Sequence, residues 1–408
     1  MDKQAPNDPL QVRFPRVLVV AQSTPWPPRG GGDLRTAGTL SALASAGVQV
    51  GLATFAPLRD AAAAPREIQL WAPPATDSRA EDPAAAFGWI REHDGHPSDL
   101  WWTPAARTAL ASALDSLDPQ LVILEHLWTH RALELTGARA TILSSQNVEG
   151  PLHEAMAEAP DLQAPVALAR LMARRTVALE AATVSRVDQV WACSSADADG
   201  FRARYPGCAP VEVIPNALAL PELRQAPPPR SAPLVLFVGS FGYPPNAAAA
   251  LWLGQVLLPA LRDAGLAASL RLIGADPPET VRRLADDPAI EVLGFVEDLR
   301  PHLEAASLTA VPLFTGGGTR FKVLEAFATG IPVVSTAKGV EGIDAVAGTH
   351  YLGAEDVTAF TAAITELWQS PELRERLTAN ARALAEERYA AATLYERVAS
   401  ALERLAPR

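Results

Sequence analysis

The segment VPLFTGGGTRFKVLEAFATGIPVVST (311–336) concentrates residue types that could do chemistry. It reads as strand, Gly-rich turn, helix, Gly-Ile-Pro turn and strand. Gly316, Gly317 and Gly318 let the backbone approach a ligand closely. A helix opening near Thr319 points its free N–H groups and its positive dipole end into that turn, an arrangement that binds phosphate. Arg320 and Lys322 add positive charge there. Glu325 falls in the second helical turn, where an ionised carboxylate can accept hydrogen bonds from sugar or ribose hydroxyls. Lys3, Lys322 and Lys338 are the chain's only lysines among 35 basic residues, so a lysine inside this motif stands out. The plain alternative is a strand-to-helix turn with surface cations, and the segment alone leaves both open.

Other candidates are scattered. His126 ends the apolar run LVILEH (121–126). In doubly wound sheets the carboxyl ends of strands face the crevice, so this imidazole could orient a sugar or an acceptor; the alternative is a partly buried histidine at a strand end. His130 is a second, weaker candidate. Asp197 and Asp199 form Asp-x-Asp, but they follow a Ser-Ser pair and open a helix, and acidic residues in a first turn favour the helix dipole; capping is the preferred reading over metal binding. Trp89, Trp101 and Trp102 could stack on a sugar or fill a core. Arg170, Arg174 and Arg175 read as a solvated helix face.

These residues need a scaffold. With 408 residues, 49% of them apolar, the chain is long enough for two domains. RVLVVA (16–21), VQVGLAT (48–54), LVILEH, ATILSS (140–145), QVWACS (189–194) and VEVIPN (211–216) read as strands of a first half. LVLFVGS (234–240), SLRLIG (269–274), IEVLGF (290–295), SLTAVPLF (307–314) and IPVVST (331–336) repeat the pattern in a second half. STPWPPRGGGD reads as a loop ending at Asp33, the cap of a helix to about Ala46. Helical patterns cover about 161–185 and 372–405. The organisation predicted is a first domain over 1–220, a Pro-rich linker over 221–233, a second domain over 234–388, and a terminal helix over 389–408.

Composition narrows the function classes. The net charge of −11 argues against a general nucleic-acid partner. Two cysteines, Cys193 and Cys208, suit a reducing compartment rather than a disulfide scaffold. The polar N-terminal stretch lacks an apolar h-region, and no run approaches the ~18–20 apolar residues of a membrane span. The expectation is a cytoplasmic protein with peripheral membrane contact at most. The first strand is not followed by Gly-x-Gly-x-x-Gly, which argues against a nicotinamide dehydrogenase.

LFVGSFGYPPN (236–246), GFVEDLRPHL (294–303), the Gly-rich segment and KGVEGI (338–343) occur in an order and spacing that resemble the donor domain of family-4 glycosyltransferases. WPPRGGGDLR (26–35), SSQNVEG (144–150), SSADADGFRARYPG and VIPNALAL extend the resemblance into the first half. It implies an α/β fold of two Rossmann-like domains facing across a cleft (GT-B), with the last helix returning to the first domain. It implies a nucleotide-diphosphate sugar as donor, an acceptor that is a glycan, a lipid-linked sugar or a small molecule, a retaining outcome, and no metal or other cofactor. Carried over by residue, Glu325 would hold the donor ribose. The N-terminal amides of the helix at 319–323, with Thr319, Arg320, Lys322 and Val323, would cradle the diphosphate, Gly317 and Gly318 would also contact the donor, Phe295 and Val296 would lie by the base, and Gly239 and Ser240 would line the cleft floor. Gly31, Gly32, Asn147 and Glu149 would stand on the acceptor side. Three departures are visible. Gly317 occupies the place of a first glutamate, Ser240 and Asn246 stand where relatives carry Arg and Lys, and Gln146 replaces a histidine. With those two cations absent, Arg320 and Lys322 are the candidates, with His126, for stabilising the departing diphosphate. A GT-B nucleotide-sugar epimerase and a non-catalytic nucleotide- or carbohydrate-binding subunit are the competing readings.

Overall fold

A computed structural model describes residues 13–74, 88–90, 92–158, 166–223, 231–318 and 320–405. The chain divides into two compact units. The described residues of Met1–Pro28, Gly32–Asn216 and Ala392–Arg408 make up one, and those of Arg29–Gly31 and Ala217–Ala391 the other.

The first unit is built on seven parallel strands: β1 (Arg16–Ala21), β2 (Gln49–Thr54), β3 (Gln69–Trp71), β4 (Leu121–Glu125), β5 (Ala140–Ser144), β6 (Gln189–Ala192) and β7 (Val211–Val213). Their order is β3-β2-β1-β4-β5-β6-β7, with Val19 paired to Leu52 on one side and Ile123 on the other. The central strands are covered on both faces, which is why they read as unbroken apolar runs rather than alternating ones. Chain order reverses direction between β1 and β4. The helix Ala391–Arg404 lies in this unit, where Arg404 pairs with Glu212 at 2.7 Å and the Gln189 side-chain amide donates to the Ala401 carbonyl at 3.0 Å.

The second unit has six parallel strands: β8 (Leu234–Val238), β9 (Ser269–Ile273), β10 (Ile290–Gly294), β11 (Leu308–Val311), β12 (Val333–Ser335) and β13 (Leu352–Gly353). The order is β10-β9-β8-β11-β12-β13, so direction reverses between β8 and β11. The β10–β9 register shifts between Val292 and Gly294, whose φ is +68°, and this irregularity turns Phe295 outward to 47% exposure.

The strands predicted from apolar runs are present. Two short edge strands, β3 and β13, were not predicted; too few residues carry the pattern. The segment expected to be loop up to Asp33 is helical from Gly31, and the helix Gly31–Ser45 carries Asp33 in its first turn rather than as its cap. An acidic residue there still favours the dipole. The helical pattern at 372–405 is two helices, Pro371–Arg388 and Ala391–Arg404, parted at Tyr389, whose carbonyl accepts from Leu218. The stretches 161–165 and 224–230, where a helix start and most of the linker were expected, lie outside the described residues. Among the described residues no helix is long and apolar enough to cross a membrane.

Candidate functional site

In each sheet the strands are parallel, so their carboxyl ends share one edge. Where strand order reverses, the loops leaving neighbouring strands diverge and open a crevice there. In the second unit that point lies between β8 and β11. Gly239 and Ser240 leave β8 and the Gly-rich turn leaves β11.

The turn is pinned from the β8 side. The Gly317 N–H donates to the Tyr243 hydroxyl at 3.3 Å. Gly316 has φ +99°, and a Cβ there would stand 2.7 Å from the same hydroxyl, so only glycine meets both the conformation and the space. The helix that follows is Phe321–Thr329, with Arg320 as N-cap and no side-chain cap. It begins two residues later than predicted, and Thr319 lies outside the described residues. Val323 is fully buried and its N–H is taken by the Arg320 carbonyl at 3.0 Å, so Phe321 and Lys322 supply the first-turn N–H groups that the helix itself leaves open. Gly330, at φ +79°, ends the helix, with the Ile331 N–H returning to the Ala326 carbonyl at 2.8 Å.

Charge collects at this helix start. Arg320 is buried and its guanidinium bonds the Gly317 carbonyl. Lys322 donates to Asn246 Oδ1 at 2.7 Å, and its Nζ lies 4.1 Å from the Phe237 ring centre. Asn246 in turn donates to the Ser240 carbonyl at 2.8 Å. A Cβ on Gly239 would stand 2.7 Å from the Lys322 Nζ, so this glycine makes room for the ammonium. Among the described residues Lys322 has no carboxylate within 4.0 Å; burial, then the Arg320 charge, push it well below the ordinary lysine value, with Glu325 acting in the opposite direction. Glu325 is half-buried three residues on. Burial raises its carboxyl to about 7 against the pull of Lys322. Phe321, the first residue of the helix, is buried. Phe295 and Val296 follow β10 at the same sheet edge, outside the lysine cluster.

In the first unit the reversal lies between β1 and β4, and His126 directly follows β4. Its φ of +76° and ψ of +149° are costly for a residue with a Cβ, by ~1–3 kcal/mol. The conformation is held by the His126 N–H donating to the Ser144 carbonyl at 2.9 Å and by the Thr129 hydroxyl donating to the His126 carbonyl at 2.9 Å. It turns the imidazole toward Glu149, with Nε2 at 3.3 Å from Oε1. Asn147 donates to the same oxygen at 2.8 Å, and His153 approaches Oε2 at 3.8 Å. Burial opposes ionisation of Glu149, but the charge and hydrogen bond of His126, then Asn147, hold its carboxyl below the usual range. Trp128 stacks on His126 and on His96, with centroids at 5.1 Å and 4.7 Å. Burial holds His96 neutral, its value lowered to about 3. Gln146 lies over Gly32, where a Cβ would stand 2.9 Å from its side-chain nitrogen, and Gly31 opens the same helix.

The remaining candidates are structural. Asp197 accepts the Ser194 hydroxyl at 2.6 Å in the first turn of the helix Ser195–Arg204, and Asp199 pairs with Arg202 at 3.0 Å. Trp101 and Trp102 pack on the first core, and Trp89 stacks on His93 at 4.6 Å. Arg170 and Arg174 are exposed, whereas Arg175 bonds the Gly95 carbonyl at 2.9 Å. His130 pairs with Asp99 at 3.1 Å. Tyr243 and Phe237 were not singled out from sequence because each serves a partner more than twenty residues away, and Trp128 lies in a short irregular helix with no apolar period; His153, one helical turn from Glu149, was also missed.

Residues 232–370 match the model of glycosyl transferases group 1. Among solved structures, sucrose-phosphate synthase from Thermosynechococcus elongatus is 16% identical, covering 96% of this chain and 98% of its own, with a TM-score of 0.75. Anabaena HepE in complex with UDP-glucose is 15% identical, covering 95% and 100%, with a TM-score of 0.69. WaaG, a glycosyltransferase involved in lipopolysaccharide biosynthesis, is 16% identical, covering 95% and 100%, with a TM-score of 0.63. At these identities the likeness is one of fold. No curated protein sequence matches the chain. Residues 232–370, within the second unit, thus match a group 1 glycosyl transferase domain, and the chain as a whole shares with these structures a fold of two parallel-sheet α/β domains.

Proposed function

We propose that this protein transfers a sugar from a nucleoside-diphosphate sugar to a glycan, lipid-linked or small-molecule acceptor, with retention, in the cytoplasm. The observation that supports the donor most strongly is the half-buried Lys322 amine, unpaired by any described carboxylate, at an uncapped helix N-terminus on the strand-order reversal of the second sheet. The charged form of such a partly desolvated amine is stabilised by an arriving anion, and helix N–H groups add to the attraction. The structural neighbour HepE, described in complex with UDP-glucose, supports a donor of this class.

On this reading the open helix amides and Lys322 meet the diphosphate, Arg320 holds the turn and contributes charge, and Glu325 receives the ribose diol. Phe295 and Val296 flank the base, and Gly239 and Ser240 give the backbone its close approach. As the sugar leaves, negative charge grows on the diphosphate, and these fixed dipoles and cations stabilise it without a metal. His126, oriented by Glu149, serves the acceptor side with Gly31, Gly32 and Asn147. A thermal-shift panel of UDP, GDP and dTDP, followed by chromatographic assay of sugar-nucleotide breakdown with and without an acceptor panel, tests this; a ligand that binds only the folded state raises the midpoint. No shift with any of the three nucleotides would sink the donor site.

A second reading rests on Gly317, which stands where the family resemblance leads one to expect a glutamate: a nucleotide-binding subunit without turnover. Nucleotide binding with no sugar transfer over the same acceptor panel would favour it. An isomerised donor formed with no acceptor present would favour the epimerase.

A further inference from the structure

The helix Glu149–Ala157 starts without a cap of its own: Val148 is the N-cap and offers no side-chain acceptor. The missing acceptor comes from a distant helix, Val166–Val184. The Glu180 carboxylate, fully buried, accepts the Glu149 N–H on one oxygen and the Gly150 N–H on the other, each at 2.8 Å. The second oxygen also accepts the Tyr205 hydroxyl at 2.6 Å. Gly150 is fitted to this arrangement, since a Cβ there would run into the Tyr205 hydroxyl and stand 3.0 Å from Val177.

A carboxylate at a helix start is an ordinary stabilising device. What sets this one apart is where its hydrogen bonds end. The Glu149 whose N–H it fixes is the residue whose side chain reaches His126 Nε2 at 3.3 Å, and both carboxylates are buried. Without Glu180 the first turn would lose two hydrogen bonds, and the Glu149 carboxylate would lose the backbone anchor that aims it.

We propose that Glu180, held by Tyr205, is the positioning residue of the His126–Glu149 pair. This rests on the reading of that pair as the working groups of the first unit. The groups facing the Glu180 carboxyl are Tyr205, Glu149 and, by its charge field, Cys208. Those facing His126 are Glu149, His153 and, beneath it, Glu125. Burial raises the Glu180 carboxyl to about 7, against the hydrogen bonds from Tyr205 and from the N–H groups of Gly150 and Glu149. All three acceptor contacts exist together only in the ionised form, because a proton converts one oxygen into a donor.

The experiment is an NMR titration of the full chain labelled at histidine Cε1, with the His126 resonance assigned by its loss in His126→Gln. Glu149→Gln removes the opposite charge and should lower the His126 midpoint by ~1 unit. Tyr205→Phe and Glu180→Gln should lower it part of the way, and Glu149→Gln/Glu180→Gln should titrate like Glu149→Gln alone. A capping role with no positioning function would lower the melting temperature and leave the His126 midpoint at its wild-type value in both single variants, and that result would overturn the proposal. Should Glu180→Gln fail to fold, Tyr205→Phe, which deletes a single hydroxyl, decides the matter alone. UDP thermal shift is run on every variant. Absence of a UDP response in wild type would count against the donor reading, whereas an unmoved His126 titration counts against the role of Glu180.

Discussion

Lys322 and Asn246, seventy-six residues apart, meet at 2.7 Å over the bare Cα of Gly239. The contact joins the helix start after β11 to the helix after β8, so the two loops flanking the strand-order reversal are tied at one ammonium. The lysine is held by an amide and a ring face instead of a carboxylate.

Lys322→Met should therefore separate stability from binding. Replacing a half-buried amine, whose charged form the fold disfavours, by an apolar chain of similar length should leave the melting temperature equal or higher, while affinity for UDP falls by ~1.5–3 kcal/mol, roughly ten- to a hundredfold. The folded state disfavours the charged form, so the unfolded chain binds the extra proton and the destabilising effect of Lys322 shrinks as pH rises toward the ordinary lysine value. The stability gain should be full below the lowered folded-state value and fade as pH rises toward ~10. Calorimetric titration with UDP and melting curves across pH check both halves; unchanged UDP affinity would remove Lys322 from the site.

Glu325→Gln should weaken UDP binding, and Glu325→Ala should weaken it more, by ~1.5–3 kcal/mol for a charged hydrogen bond. The difference from wild type should shrink with 2′,3′-dideoxy-UDP, which lacks the diol. If both variants bind UDP and its dideoxy analogue like wild type, Glu325 is a helix residue with no part in holding the ribose.

The same carboxyl has a stability signature. Burial carries it from its ordinary value near 4.5 up to about 7. Between those values the folded chain keeps a proton that the unfolded chain has released, so its contribution to stability is full below 4.5 and is lost as pH rises through 7. Glu325→Gln should melt like wild type at pH ~5 and above it at pH ~8, by up to ~3 kcal/mol. Equal melting at both pH values would mean the carboxyl titrates normally.

His126 tests backbone against chemistry. Glycine adopts its φ of +76° without the Cβ clash, so His126→Gly should be more stable than His126→Ala by ~1 kcal/mol. Both should lose sugar transfer, because neither has an imidazole. Equal stability of the two variants would show that the backbone relaxes on substitution.

Sugar-nucleotide turnover should persist in EDTA and gain nothing from added Mg²⁺ or Mn²⁺, as expected where helix amides and cations meet the diphosphate. Activity lost to EDTA and restored by a divalent ion would contradict this.

Much of the scaffold was legible in the sequence because it is locally encoded. Parallel strands buried on both faces appear as unbroken apolar runs, and β1, β4, β8 and β11 could be read that way. The Gly-rich turn, the helix after it and the charges of Arg320, Lys322 and Glu325 were local as well, since one turn of helix fixes their spacing. Asp33 was misplaced because glycines 31 and 32 have poor helix propensity, yet the fold makes them the first turn. What only the tertiary structure decided were contacts across the sheet edge and between distant helices. Asn246 looked like a missing lysine and turned out to hold the lysine that is present. Glu180 sits near the C-terminal end of its own helix, fully buried, and nothing in its neighbours announces that it caps another helix thirty residues away. A buried charge is tolerated only where partners converge on it, and such convergence depends on which segments the fold brings together, a property no local window of sequence contains.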